Sequence, residues 1–305
     1  MTGKPEGEQR LGLLNGFAAY GMWGLVPLFW PLLKPSGAVE ILAHRMVWSL
    51  LFVAAALLLI RRWAWLGELL RQPRRLALVT VAAAVITVNW GVYIYGVVNE
   101  HVVETSLGYF IGPLVTVALG VLVLHETLRP VQKVALGMTT AAVLGLTLDY
   151  GRPPWIALTL AVSFAVYGLL KKQVGAGAVE GLTIESAVMA PVALVYLLWL
   201  QSTGGGHAFS DGPGHFVLLA SSGLVTALPL LCFGGAASRI SLTTIGMVQY
   251  VGPTLQFLTG VFLLGEPMPA ARWVGFAVIW VALALFTLDA VRGRRRTPVP
   301  VEVPT

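Results

Sequence analysis

Long apolar runs separated by short polar or basic segments set the plan of this chain. They fall at 12–33, 40–61, 75–97, 102–124, 130–149, 154–172, 181–201, 214–237, 242–264 and 270–291. Each holds about 20 residues, enough at ~1.5 Å per residue to cross a ~30 Å hydrocarbon layer as a helix. The pattern predicts an all-α integral membrane protein of ten transmembrane helices, joined tightly at 98–101 and 238–241. Residues 1–11 and 293–305 read as polar tails. The first run has no small-residue cleavage site, so it is expected to stay in the membrane and not be removed as a signal peptide.

The chain writes one pattern twice. Moved 140 positions on, Gly112, Pro113, Gly120, Glu126, Val134, Thr147, Leu148 and Asp149 fall on Gly252, Pro253, Gly260, Glu266, Val274, Thr287, Leu288 and Asp289. At a slightly different offset, Trp23-Gly24 faces Tyr167-Gly168. The match divides the chain into repeats at 12–150 and 151–292, five runs in each. An odd number of passes makes the second repeat enter from the opposite side, so the two are expected to be inverted. Inverted repeats recur in secondary transporters, with the substrate site at the repeat interface near the midplane. Duplication for assembly alone is the competing reading.

Composition supports lipid as the solvent, with 57% hydrophobic and 11% charged residues and a mean hydropathy of +0.80. A soluble domain could not hide so much apolar surface. The net charge of +6 is spread between the runs and forms no nucleic-acid patch. It reports orientation instead. With a cytoplasmic N-terminus, sixteen Lys and Arg residues fall in inner segments and three (Lys34, Arg152, Arg272) in outer ones. This bias predicts that both termini are cytoplasmic. The single cysteine, Cys232, lies in an apolar run and excludes an internal disulfide.

The twentieth basic residue, Arg45, lies inside the second run, where a charge must snorkel, pair or face water. Its guanidinium fork suits a carboxylate or phosphate on a substrate. Glu185 lies near the counterpart position in the seventh run and is a candidate proton-coupling group, or a surface partner of Lys171 and Lys172. Tyr20, Trp23, Asn89, Tyr93, Tyr109, Gln249, Tyr250 and Gln256 could line a cavity with aromatic walls and few polar anchors. Each read singly is more often a helix–helix contact. Pro113 and Pro253, each after a Gly, predict two symmetry-related kinks with a gating role. Glu126 and Glu266 precede the fifth and tenth runs as capping residues. Asp149 and Asp289 are expected to pair with Arg152 and Arg292, three residues on. Gly12-x-x-x-Gly16 and Gly108-x-x-x-Gly112 predict close helix approaches.

The blocks ILAHRMVWSLLF (41–52), NWGVYIYGVVNEHVVETSLGYFIGPLVTVALGVL (89–122) and QYVGPTLQFLTGVFLLGEP (249–267) resemble the RarD branch of the EamA family, within the drug/metabolite transporter superfamily. Gly112 departs from the Asn that precedes the Pro in related sequences. The resemblance implies an inner-membrane permease of bacterial type, exporting small metabolites or drugs by alternating access without ATP. No zinc H-E-x-x-H, Walker A or G-x-S-x-G signature is present, so neither an enzyme nor a cofactor is expected. The expected partners are a small zwitterionic or anionic solute, bound by Arg45 with Trp23, Tyr93 and Tyr109 around it, and the lipid bilayer. Nothing in the sequence fixes the oligomeric state. A passive channel or a membrane receptor is the alternative.

Overall fold

A computed structural model of the protein describes residues 6–60, 66–67, 69, 71–124, 128–174 and 178–295. Every regular element among the described residues is helical. The order is α1 (Glu6–Leu25), two 3₁₀ turns (Val26–Leu28 and Trp30–Leu33), α2 (Ala38–Ile60), α3 (Pro73–Val98), α4 (Val102–Leu124), α5 (Pro130–Tyr150), α6 (Trp155–Val174), α7 (Ala178–Ser202), α8 (Gly212–Ala237), α9 (Leu242–Val248), α10 (Val251–Leu258), a π turn (Thr259–Leu263) and α11 (Ala270–Arg295). Eight described helices are long and apolar enough to cross a membrane, and α6 carries a shorter apolar stretch, Trp155–Lys171. Their outer faces carry exposed Leu14, Leu122, Leu148, Leu198 and Phe262, a surface suited to lipid and too apolar for water. The chain is a multi-pass membrane protein. Its first helix starts at Glu6, so the end of the expected tail is helical, and Glu8 pairs with Arg239 at 3.0 Å.

The ninth run is not one helix. Pro253 has no N–H to give the Gln249 carbonyl, which takes a long 3.3 Å bond from Gly252 N–H instead. The chain turns at Gln249–Tyr250, and α10 restarts with Pro253 in its first turn, where proline is tolerated. Its counterpart Pro113 leaves α4 continuous, with Thr116 donating to the Gly112 carbonyl one turn on. The two prolines therefore differ in outcome: one span breaks at its Gly-Pro pair and the other runs on. At position 256, matched to Thr116, Gln256 turns away from its own helix and donates to the Trp23 carbonyl at 3.2 Å.

The halves interlock. The most extensive packing is α4 on α6, α5 on α11, α2 on α7 and α8, α3 on α6, and α1 on α8, each pair joining a helix before residue 151 to one after it. Where lipid is as apolar as the side chains, close backbone approach drives such packing. A Cβ on Gly108 would lie 2.8 Å from the Ala157 carbonyl, and one on Gly12 2.7 Å from Ile240. Gly16 packs near Val248, whereas Gly112 has open space and does not serve a close approach. The largest core joins Leu107, Phe110 and Ile111 of α4 to Phe257 of α10 and Phe276 and Ile279 of α11.

Several ion pairs also cross between halves, and that of Asp149 corrects the local pairing expected from sequence. Asp149 bonds Arg272 Nε at 2.8 Å, and Asp289 bonds Arg129 Nη1 at 3.3 Å. Arg152 is taken by Glu104 at 2.7 Å, and the side chain of Arg292 lies outside the described set. The start of α5 thus meets the end of α11, and the reverse holds at the other face, so these helices run antiparallel. In a Cys232→Ser background, a short bis-maleimide is expected to join Asp149→Cys to Arg272→Cys within one chain, read by mobility after protease nicking between the two positions. Joining of Arg129→Cys to Arg272→Cys in its place would show a parallel pair.

Candidate functional site

Arg45 stands about two turns into α2, deeper than expected because α2 begins at Ala38. It is 8% exposed. It does not snorkel: its guanidinium stacks on the Trp90 ring at 4.1 Å and approaches Trp30 at 5.9 Å. Such a contact contributes about 0.5–2 kcal/mol, more as water is excluded. Its Nε donates to Thr226 Oγ1 of α8 at 2.7 Å. Thr226 gives its own proton to the Ser222 carbonyl at 2.9 Å, which leaves a lone pair free for the guanidinium. Among the described residues no carboxylate pairs with Arg45, and its other N–H groups have no protein acceptor.

Gly223 makes this contact possible. A Cβ there would fall 2.5 Å from the Trp48 carbonyl carbon and 2.7 Å from the Ser49 amide nitrogen, so α8 lies directly on α2 beside Arg45. Tyr93 and Tyr109 lie within electrostatic reach of Arg45, with their rings edge to face at 5.8 Å. The Tyr109 hydroxyl donates to Asn89 Oδ1 at 3.3 Å, while Asn89 Nδ2 donates to the Leu160 carbonyl and Ser163 Oγ, both at 2.9 Å. Asn89 therefore fixes α3 to α6 and orients Tyr109.

The other sequence candidates fall in separate places. Glu185, as deep in α7 as Arg45 is in α2, is 4% exposed and bonds Lys171 Nζ at 2.7 Å and the Tyr167 hydroxyl at 2.8 Å. Phe164 links the Tyr109 and Tyr167 rings at 6.1 and 6.3 Å. Tyr20 and Trp23 form a second aromatic group with Phe233, at 5.3 Å from each other and 6.2 and 6.0 Å from Phe233. Gln256 belongs to that group through the Trp23 carbonyl, and Gly252, just before Pro253, packs beside Tyr20. Gln249 forms the turn between α9 and α10, and Tyr250 packs against the Phe110–Phe276 core. Pro113 lies within α4.

The comparisons agree with this architecture. The model of the EamA-like transporter family matches residues 10–148. "Protein RarD" of Streptomyces exfoliatus is 59% identical over 98% of this chain and 95% of its own length. "Protein RarD" of Escherichia coli (strain K12) is 41% identical, covering 95% of this chain and 98% of its own. The chain belongs to the RarD branch of the EamA family. A solved crystal structure shares the fold at a TM-score of 0.59 and 18% identity, covering 92% of this chain and 98% of that one.

Two further groups of buried polar residues were passed over in the sequence. Trp30, Ser49 and Thr226 surround Arg45, yet they stand in apolar runs with nothing local to mark them. Buried Glu104 and Glu40 read as first-turn helix acids, but each reaches across the structure. Glu104 accepts from Arg152 and from Ile156 N–H at 3.0 Å; Glu40 accepts from His207 N–H at 2.7 Å and contacts His207 Nδ1 at 2.9 Å. Glu266 does cap a helix, though not the one that follows it. Its carboxylate accepts from Val102 and Val103 N–H at the start of α4, held there by the π turn that seats Gly260 on Val103. Glu126 lies outside the described residues.

Glu266 lies in the connection before α11, and burial pushes its carboxyl above the ordinary value of 4.5, against the pull of Val103, Val102, His101 and Arg272. The raised value means that the folded state holds its proton more tightly than the unfolded state. Stability in detergent is therefore expected to fall as pH rises from about 4.5 through the raised value. Glu266→Gln is expected to flatten that part of the melting profile, and an unchanged slope would contradict the assignment. At the α2–α8 contact, Gly223→Ala is expected to lower stability by about 1–3 kcal/mol through overpacking, read in the same melts. A wild-type melting temperature would show that the two backbones can part freely.

Proposed function

We propose that this chain is a secondary transporter that moves small organic solutes by alternating access, without ATP, through a site centred on Arg45. The observation that carries this reading is a buried guanidinium held between α2 and α8 with no carboxylate against it among the described residues. A charge in that position is costly unless a ligand or water meets it, so intramembrane ionisable groups mark solute pathways. Membership in a transporter family supports the class.

The ten passes form two inverted repeats at 12–150 and 151–292 in this proposal. The antiparallel course of α5 and α11 supports the inversion, as does the equal depth of Arg45 and Glu185 in matched helices. The Lys and Arg asymmetry puts both termini in the cytoplasm of a bacterial-type plasma membrane. On the face then outside, Glu40–His207, Glu266 with the start of α4, and Asp149–Arg272 tie the halves together. On the inner face Arg129–Asp289 and Glu8–Arg239 join them as well, so both faces are closed here, and export is the direction this reading takes from the family resemblance.

The test is counterflow of a pool of labelled organic acids, amino acids and small drugs in proteoliposomes, with and without a pH gradient. Saturable exchange by the wild type, reduced at least about tenfold in Arg45→Ala, is expected; a tenfold change corresponds to ~1.4 kcal/mol. Flux that never saturates and ignores Arg45→Ala would replace the carrier with a channel. Binding without flux would make the protein a receptor.

A further inference from the structure

The charges around Arg45 constrain what the site accepts, and this step rests on the transporter reading above. A guanidinium stays protonated in any protein setting and only donates hydrogen bonds. The buried carboxylates that could face an ammonium are already engaged: Glu185 by Lys171 and Tyr167, Glu40 by His207, and Glu104 by Arg152 and Ile156 N–H. A zwitterion would thus bring its carboxylate to a waiting cation and its ammonium to no anion. An organic monoanion meets Arg45 without that penalty.

The unpartnered polar atoms point the same way. Beside Arg45, Trp30 Nε1, the Tyr93 hydroxyl and the Ser49 hydroxyl are buried with no hydrogen-bond partner, and the three residues are 2%, 6% and 1% exposed. The Trp30 ring flanks the guanidinium, Tyr93 lies within its electrostatic reach, and Ser49 follows it by one turn on α2. An indole N–H can only donate, and the two hydroxyls are free to do so. Leaving such groups unmet costs about 1–3 kcal/mol each, so a ligand rich in acceptor atoms gains most here.

We propose that the Arg45 site selects organic monoanions carrying a second oxygen acceptor beside the carboxylate, such as 2-oxo or 2-hydroxy acids, over zwitterions and cations. The carboxylate takes the free edge of the guanidinium. The neighbouring oxygen accepts from Trp30 Nε1 and the Tyr93 hydroxyl. The apolar remainder packs on Tyr109.

A matched series tests this in the full-length purified protein: phenylpyruvate, 3-phenylpropanoate, phenylalanine and phenethylamine share a skeleton and differ in charge and in the acceptor at C2. Binding is read by tryptophan fluorescence and transport by counterflow. Phenylpyruvate is expected to bind at least about tenfold more tightly than phenylalanine, with no measurable binding of phenethylamine. Trp30→Phe removes one donor and is expected to weaken phenylpyruvate about fivefold more than it weakens 3-phenylpropanoate, in line with ~1 kcal/mol for one hydrogen bond. Arg45→Gln is expected to abolish the preference for anions. Phenylalanine binding as tightly as phenylpyruvate, a preference kept in Arg45→Gln, or no binding of either carboxylate would overturn the proposal. If Arg45→Gln does not fold, the wild-type ranking and Trp30→Phe decide it alone. Selective binding without counterflow would leave this assignment standing and remove the transporter reading; saturable flux without charge selectivity would do the reverse.

Discussion

A charge enclosed in hydrocarbon is stable only when something neutralises it or water reaches it. Applied across the described residues, that constraint sorts the buried ionisable groups into two kinds. Glu40, Glu104 and Glu185 each have a basic side chain against them. Arg45 has an indole face and a threonine hydroxyl, which orient a guanidinium without cancelling its charge. The surrounding helices are arranged to hold that imbalance: Gly223 admits α8 onto α2, Asn89 fixes α3 to α6, and Trp30 closes over the top.

In the proposed two-repeat plan the imbalance lies between the halves. Helices apolar all round find their partners wherever backbones approach most closely, and here those partners belong to the other repeat. Yet the repeats are not copies in detail. Matched positions carry Arg45 and Glu185, Thr116 and Gln256, and a continuous α4 against a broken ninth span. Each difference is chemical. A threonine returns its hydroxyl to its own helix, whereas a glutamine is long enough to reach the next one.

Most helix ends were legible because hydropathy changes sharply at them; α4 spans 102–124 as the pattern predicts. The break at Gln249–Tyr250 was not, since the same Gly-Pro pair leaves α4 whole, and the outcome depends on neighbours that no local pattern reveals. The ionic contacts were hidden for a related reason. Arg152 lies three residues after Asp149, but the fold brings Arg272 to that aspartate and Glu104 to that arginine. Arg45 stood out by charge alone, while Trp30 and Thr226 look like ordinary members of apolar runs. Trp23, grouped with Arg45 by polarity and depth, packs with Tyr20 and Phe233.

Access to position 49, one turn along α2 from Arg45, tests the central claim most directly. With Ser49→Cys as the only cysteine, in a Cys232→Ser background, a membrane-impermeant thiol reagent is applied to each side of oriented vesicles in turn. The account predicts labelling from each side in turn, because the ties on the two faces, Glu40–His207 and Asp149–Arg272 outside and Arg129–Asp289 inside, must open alternately. Labelling from neither side would leave Arg45 sealed in protein and contradict a carrier built around it.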